Sequence, residues 1–140
     1  MKPVLVDAGF LIAAYKRRDE FHARCVAIYE RLDRPLASCE PVIVEALHLL
    51  RFTPGAADSI LASIDRGILE LPFRLSRSAG SVRNILEKYS DIPADFADAC
   101  LIHMADELDT GDILTLDSDF KHYRWRRNRR FRLLIPLERA

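Results

Sequence analysis

The chain has 140 residues, of which 49% are hydrophobic and 30% charged, with five Gly and seven Pro. That composition excludes a fibrous, low-complexity or disordered protein and predicts one globular domain over residues 1–140. Its formal net charge of zero, from 21 basic and 21 acidic side chains, is an average that leaves room for separate basic and acidic regions.

Val4-Leu5-Val6 is a short apolar run that ends at Asp7 and reads as a strand, followed by a helix through Phe10, Leu11 and Ala14. The uncharged run from Ala8 to Tyr15 is too short to span a bilayer and lacks the basic leader and cleavage site of a signal peptide. A cytoplasmic protein with no membrane partner is expected. Asp19 is placed to cap a second helix reaching Leu32, with Cys25, Ile28 and Leu32 at helical spacing. Pro35-Leu36-Ala37 is a brief extended stretch. Ser38 is placed to cap a helix from Cys39 to Leu50, with Pro41 in its first turn and Ile43, Ala46, Leu47 and Leu50 as its apolar stripe. A helix from Ala56 to Arg66 ends at Gly67, where a left-handed residue is wanted, and Ile68 to Leu71 is the next strand. Ser76 or Ser78 starts a helix to Tyr89, Pro93 breaks the chain, and a further helix covers Ala94 to Leu108. Ile113 to Leu116 is a buried strand ending at Asp117, and Leu133 to Ile135 is the last strand.

Strands with continuous rather than alternating apolar patterns, separated by helices, predict a three-layer α/β/α fold around a central parallel sheet. Such folds place ligands at the carboxyl ends of their strands, where Asp7 and Asp117 stand. Each has an ordinary alternative, as a helix cap for Asp7 and as part of an Asp- and Ser-rich turn for Asp117. Glu45 lies in the most apolar part of its helix, where a charge is costly unless paired; the alternative is a surface residue beside a wide apolar stripe. Asp98 shares a face with Leu101, Ile102 and Ala105, although it, and more so Asp95, could simply favour the positive end of the helix dipole. Together, four acids face one edge of the predicted sheet. Their mutual repulsion calls for a divalent cation. Three scattered cysteines without a CxxC pair, and histidines without HExxH or HxH spacing, leave oxygen ligation, which favours Mg²⁺ or Mn²⁺.

Residues 121–132 carry Lys121, Arg124, Arg126, Arg127, Arg129, Arg130 and Arg132 without an acid, interleaved with Tyr123, Trp125 and Phe131. Guanidinium groups beside aromatic faces suit phosphate contact and base stacking, so Lys121, Arg124, Trp125, Arg126, Arg127, Arg129 and Arg130 are the candidate nucleic-acid contacts. The alternative is a solvated loop and edge strand whose arginines pair with neighbouring acids.

At these residues the chain resembles the PIN-domain family, and within it the VapC-type toxin ribonucleases, over nearly its whole length. The matching segments are residues 4–12 around Asp7, 38–45 ending in Glu45, 95–102 around Asp98, and 115–120 around Asp117. The resemblance implies a PIN-like, Rossmann-like sheet and Mg²⁺- or Mn²⁺-dependent cleavage of RNA. It casts Asp7, Glu45, Asp98 and Asp117 as catalytic metal ligands, with Asp119 and Asp95 as accessory acids and Thr115 as a polar support for Asp117. It also implies a homodimer and a cognate antitoxin. The arginine-rich segment is longer and more basic than a minimal toxin needs. The competing class is a catalytically silent nucleic-acid-binding or regulatory PIN protein that keeps the acids for structure. A phosphoacceptor receiver domain fits poorly, because Asp7 stands without a second acid beside it and no lysine follows Ile135.

Overall fold

The computed structural model describes residues 1–92 and 94–138, so the predicted break at Pro93 lies outside the described residues. Five strands form one parallel sheet: β1 (Val4–Val6), β2 (Leu36–Ala37), β3 (Leu69–Glu70), β4 (Asp112–Leu114) and, at one edge, a strand at Arg132–Leu133. A separate hairpin, β5 (Arg124–Trp125) and β6 (Arg129–Arg130), precedes that edge strand, which is therefore β7. The sheet order is β3-β2-β1-β4-β7, with Leu5 opposite both Ala37 and Ile113. Helices α1 (Ala8–Tyr15), α2 (His22–Arg31), α3 (Glu40–Leu49), α4 (Ala56–Asp65), α5 (Leu75–Lys88) and α6 (Phe96–Leu108) flank the sheet in the expected α/β/α arrangement.

The continuous apolar strands are buried on both faces: Val4, Leu5, Val6, Ile113 and Leu114 are all fully inaccessible. α1 carries no charge and buries Ala8, Phe10, Leu11 and Ala13, whereas α2 presents only Cys25 to the interior as a fully buried residue. Cys25, Cys39 and Cys100 are buried free thiols. Among the described residues, no helix is long and apolar enough to cross a membrane.

Two expected helix caps are replaced by other bonds. The Asp19 side chain accepts from the Phe21 N–H (2.8 Å), forming a turn ahead of α2, and Phe21 takes the cap position without a side-chain bond. Ser38 donates to the Val6 carbonyl (2.7 Å), tying β2 to the end of β1, and Cys39 becomes the cap of α3. Likewise α5 starts at Leu75 rather than at either serine, and Ser78 is buried within it. α6 starts at Phe96, two residues later than expected, because Asp95 caps it.

Gly111, just before β4, is required by a close approach: a Cβ there would lie 2.1 Å from the Trp125 indole nitrogen. That indole, packed over Gly111, donates to the Arg130 carbonyl (3.1 Å) and ties the two strands of the hairpin together. Gly111→Ala is expected to destabilise the fold by about 2–3 kcal/mol through overpacking, read as a lowered urea midpoint. Unchanged stability would show that the hairpin is not seated there.

Candidate metal centre

The chain runs from β1 to β2 and β3 on one side, then returns across the sheet to β4 on the other side of β1. The crevice beyond the carboxyl ends of β1 and β4 is therefore the topological switch point, where open α/β sheets hold their ligands. Asp7 follows β1 directly, and Thr115 and Asp117 follow β4, so both carboxylates are delivered to that crevice by the backbone. α6 points its amino end at the same place and brings in Asp98. An open cleft of about 270 Å³ is lined by Asp7, Ala8, Gly9, Glu45, Asp95, Asp98, Leu116 and Asp117.

Three of these acids converge. Asp7, Asp98 and Asp117 each offer a carboxylate oxygen, and the three oxygens lie within 4.8 Å of one another. Asp7 is 8% exposed and Asp98 6%, so two of the three charges are buried. Among the described residues, no lysine or arginine forms an ion pair with any of them.

The hydrogen bonds fix the carboxylates without neutralising them. Asp7 caps α1, accepting from the Ala8 N–H (2.8 Å), and its other oxygen accepts from the Thr115 hydroxyl (2.8 Å). Thr115 in turn accepts from the Asp117 N–H (3.0 Å), so one fully buried hydroxyl positions both Asp7 and the Asp117 backbone. Asp117 accepts from the Asp119 N–H (2.9 Å), which closes the short 3₁₀ turn at Ser118–Lys121. Asp95 accepts from the Asp98 N–H (2.8 Å) as the cap of α6. The Tyr123 hydroxyl donates to Asp98 (3.1 Å) from within the core, where its ring meets Tyr89 and Phe120 edge-on. In the sequence Tyr123 stands out only as an aromatic among arginines; 25 residues separate it from Asp98, and no local pattern joins them.

Burial pushes Asp7 up to about 6 despite its hydrogen bonds from Thr115 and Ala8, with the charges of Asp117 and Glu45 adding to the rise. Burial and then the neighbouring charges of Asp95 and Asp7 push Asp98 up to about 7. Asp117 is raised as well, chiefly by burial and in part by Asp119 and Asp95. Three carboxylates held together against their own repulsion suit a divalent cation, and an all-oxygen donor set suits Mg²⁺ or Mn²⁺.

The other candidates separate. Glu45 lines the cleft but is exposed and stands outside the three-acid cluster, while its neighbours Val42, Ile43 and Ala46 supply the buried face of α3. Asp95 lines the cleft as a helix cap. Asp119 is outside the cluster and contributes its backbone N–H to Asp117.

The basic segment is split and partly turned inward. Tyr123, Trp125 and Phe131 are buried, with Trp125 only 7% exposed, so their rings are core residues and the expected base-stacking faces are not presented. Arg124 folds back onto the carbonyls of Lys121, His122 and Tyr123. Lys121 pairs with Glu138 (3.5 Å), Arg132 with Asp112 (2.9 Å) and Arg126 with Asp109 (2.9 Å). The hairpin sits at the carboxyl end of α6, whereas Asp98 lies at its amino end. Asp98 and Asp106, which holds the hairpin's Arg126 N–H, are 8 residues apart along this helix, about 12 Å at the 1.5 Å helical rise.

The chain's residues 4–126 match the family model of the PIN domain. Among solved structures, the fold is similar to that of the Mycobacterium tuberculosis toxin VapC20, described as cleaving the sarcin-ricin loop. The TM-score is 0.77 at 17% identity, over 85% of this chain and 93% of that one. No sequence among curated proteins matches. With the family model spanning both strand-end acids and the acid of α6, this chain belongs to the PIN-domain family.

Proposed function

We propose that the protein is a metal-dependent endoribonuclease, and that it acts as the toxin of a toxin–antitoxin pair. The observation that carries the nuclease reading is the cluster of Asp7, Asp98 and Asp117 at the topological switch point, with no lysine or arginine among the described residues paired to it. A bound Mg²⁺ or Mn²⁺ would neutralise charge on a phosphodiester and make water a competent nucleophile at neutral pH. Asp7, Asp98 and Asp117 would hold the ion, and the fixed hydroxyl of Thr115 would keep Asp7 oriented toward it. Tyr123 holds Asp98 by donating to it. Glu45 and Asp95 line the cleft, and in this reading they would orient water or complete the ion's shell through water.

The toxin reading draws on the likeness to VapC20 and on the resemblance of the four acidic segments to VapC-type proteins. A cognate antitoxin and a homodimer belong to the same proposal. Val44 (68% exposed), Leu75 and Phe96 form an apolar face beside the cleft, which supports self-association.

Purified protein incubated with total RNA in Mg²⁺, Mn²⁺ or EDTA tests the reaction. Discrete fragments that require the metal and vanish in Asp7→Asn are expected. RNA binding without metal-dependent cleavage would instead assign the silent, regulatory class.

The support role of Thr115 is tested separately. Thr115→Val removes the bond to Asp7 and the acceptor for Asp117, and is expected to weaken Mn²⁺ binding about 10–100-fold, whereas Thr115→Ser retains it. Calorimetric titration of both variants reads the difference; equal affinities would reduce Thr115 to a packing residue.

A further inference from the structure

We propose that the β5–β6 hairpin is a second phosphate-contact surface, separate from the acidic cleft and engaged by RNA long enough to reach both ends of the molecule; this rests on the ribonuclease reading above. The cleft occupies the carboxyl ends of β1 and β4. The hairpin is anchored at the opposite end of the sheet, over Gly111 and against the last turn of α6. A short strand bound in the cleft therefore does not reach it.

The hairpin is built to hold charge in a fixed place. Its turn runs through Arg126 (φ 40°) and Arg127 (φ 68°), two consecutive non-glycine residues in the left-handed region. Glycine or asparagine would hold that turn with less strain, so arginine at both positions costs stability and supplies charge. The strain is held by bonds on every side. The Arg126 N–H donates to Asp106, its guanidinium pairs with Asp109, and the Trp125 indole bonds across the strands to Arg130.

Arg129 lies over the Trp125 ring at 5.2 Å, which orients its planar head while leaving its edge to solvent. Arg127 and Arg130 are exposed, and among the described residues neither has an acidic partner. Planar guanidiniums on a braced turn suit paired phosphate oxygens. With the aromatic rings buried, the surface offers charge without base stacking. It should therefore read the nucleic-acid backbone and not its sequence.

The test pairs Arg127→Asn, which keeps a residue tolerant of the left-handed backbone, with Arg130→Gln. A urea midpoint no lower than that of the unaltered protein confirms the fold of the double variant. Binding of a long structured transcript is measured in EDTA, where cleavage does not intervene, across a salt series. The expected result is about a tenfold loss of affinity. The slope of log affinity on log salt should fall by about one for each arginine–phosphate pair removed. Binding of a short unstructured oligonucleotide should not change, and with metal restored, cleavage should fall for the transcript and not for the oligonucleotide.

Equal binding of the transcript by both proteins would overturn the proposal. So would an equal loss on transcript and oligonucleotide, which would place the hairpin at the cleft. If the unaltered protein cleaves neither RNA, the nuclease reading fails while the binding series still decides the hairpin.

Discussion

Asp98→Asn is expected to reduce RNA cleavage by a factor on the order of 10²–10³ while raising the stability of the metal-free fold. Asp98 is buried with Asp7 and Asp117 beside it, and it is pushed up to about 7 because its charge is unwelcome there. Asparagine preserves the shape and can still accept from Tyr123. It removes one of three mutually repelling charges and, with it, one of the proposed ion ligands. Opposite signs for activity and stability distinguish a metal ligand from a structural acid, whose loss would lower both or stability alone. Cleavage and thermal unfolding in EDTA, measured on the same preparation, read the pair. Unaltered cleavage would remove Asp98 from the site.

The second large effect is a dependence of stability on pH that reverses when metal is added. Asp7 has a folded-state value of about 6 against 3.8 for a freely solvated aspartate, so the folded protein holds this proton more tightly than the unfolded chain. A raised value of this kind leaves folding unpenalised below about pH 4. The penalty grows as pH rises toward 6 and is complete above it, on the order of 3 kcal/mol for this group. Asp98, raised in the same direction, extends the window to about 7. Other acids act in reverse: burial would raise Asp112, but its bonds from Arg132 and Arg34 outweigh that and hold it below its ordinary range. The clean observable is therefore the difference between the unaltered protein and Asp7→Asn. In EDTA, that difference should widen in favour of the variant between pH 4 and pH 7. Adding Mn²⁺ at pH 8 should stabilise the unaltered protein, by about 2.7 kcal/mol at a hundredfold excess over Kd, and stabilise the variant far less. Parallel pH profiles with no metal effect would show that the carboxylates carry no shared, ion-seeking charge.

What could be read from the sequence was local. A continuous apolar run followed by an acid places a carboxylate at the end of a buried strand, and this holds for Asp7 after β1 and, two residues beyond Thr115, for Asp117. Asp98 was legible because its apolar neighbours recur at helical spacing and fix which face it shares. Features that depend on where distant segments land were not legible. Ser38 resembles a helix cap until β1 lies beside it and offers the Val6 carbonyl. Glu45 sits among apolar residues in the sequence, yet the turn of α3 leaves it exposed at the open cleft. The alternation of arginine and aromatic residues in 121–132 suggests a stacking platform. In the fold Tyr123, Trp125 and Phe131 pack inward, both residues of β6 are exposed, and the arginines of the turn are left at the far end of α6 from the acids. Tyr123 reaches Asp98 only because the chain leading into that hairpin returns along α6.

The proposed cation site requires Asp7, Asp98 and Asp117 together. Titration of the metal-free protein with Mn²⁺ at pH 8, followed by calorimetry or by the loss of the free-ion paramagnetic resonance signal, tests it most directly. Saturable binding that is lost in Asp7→Asn and in Asp98→Asn, and retained in Asp58→Asn on the exposed face of α4, is the expected result. Binding that survives both cluster substitutions, or is absent from the unaltered protein, would contradict the account.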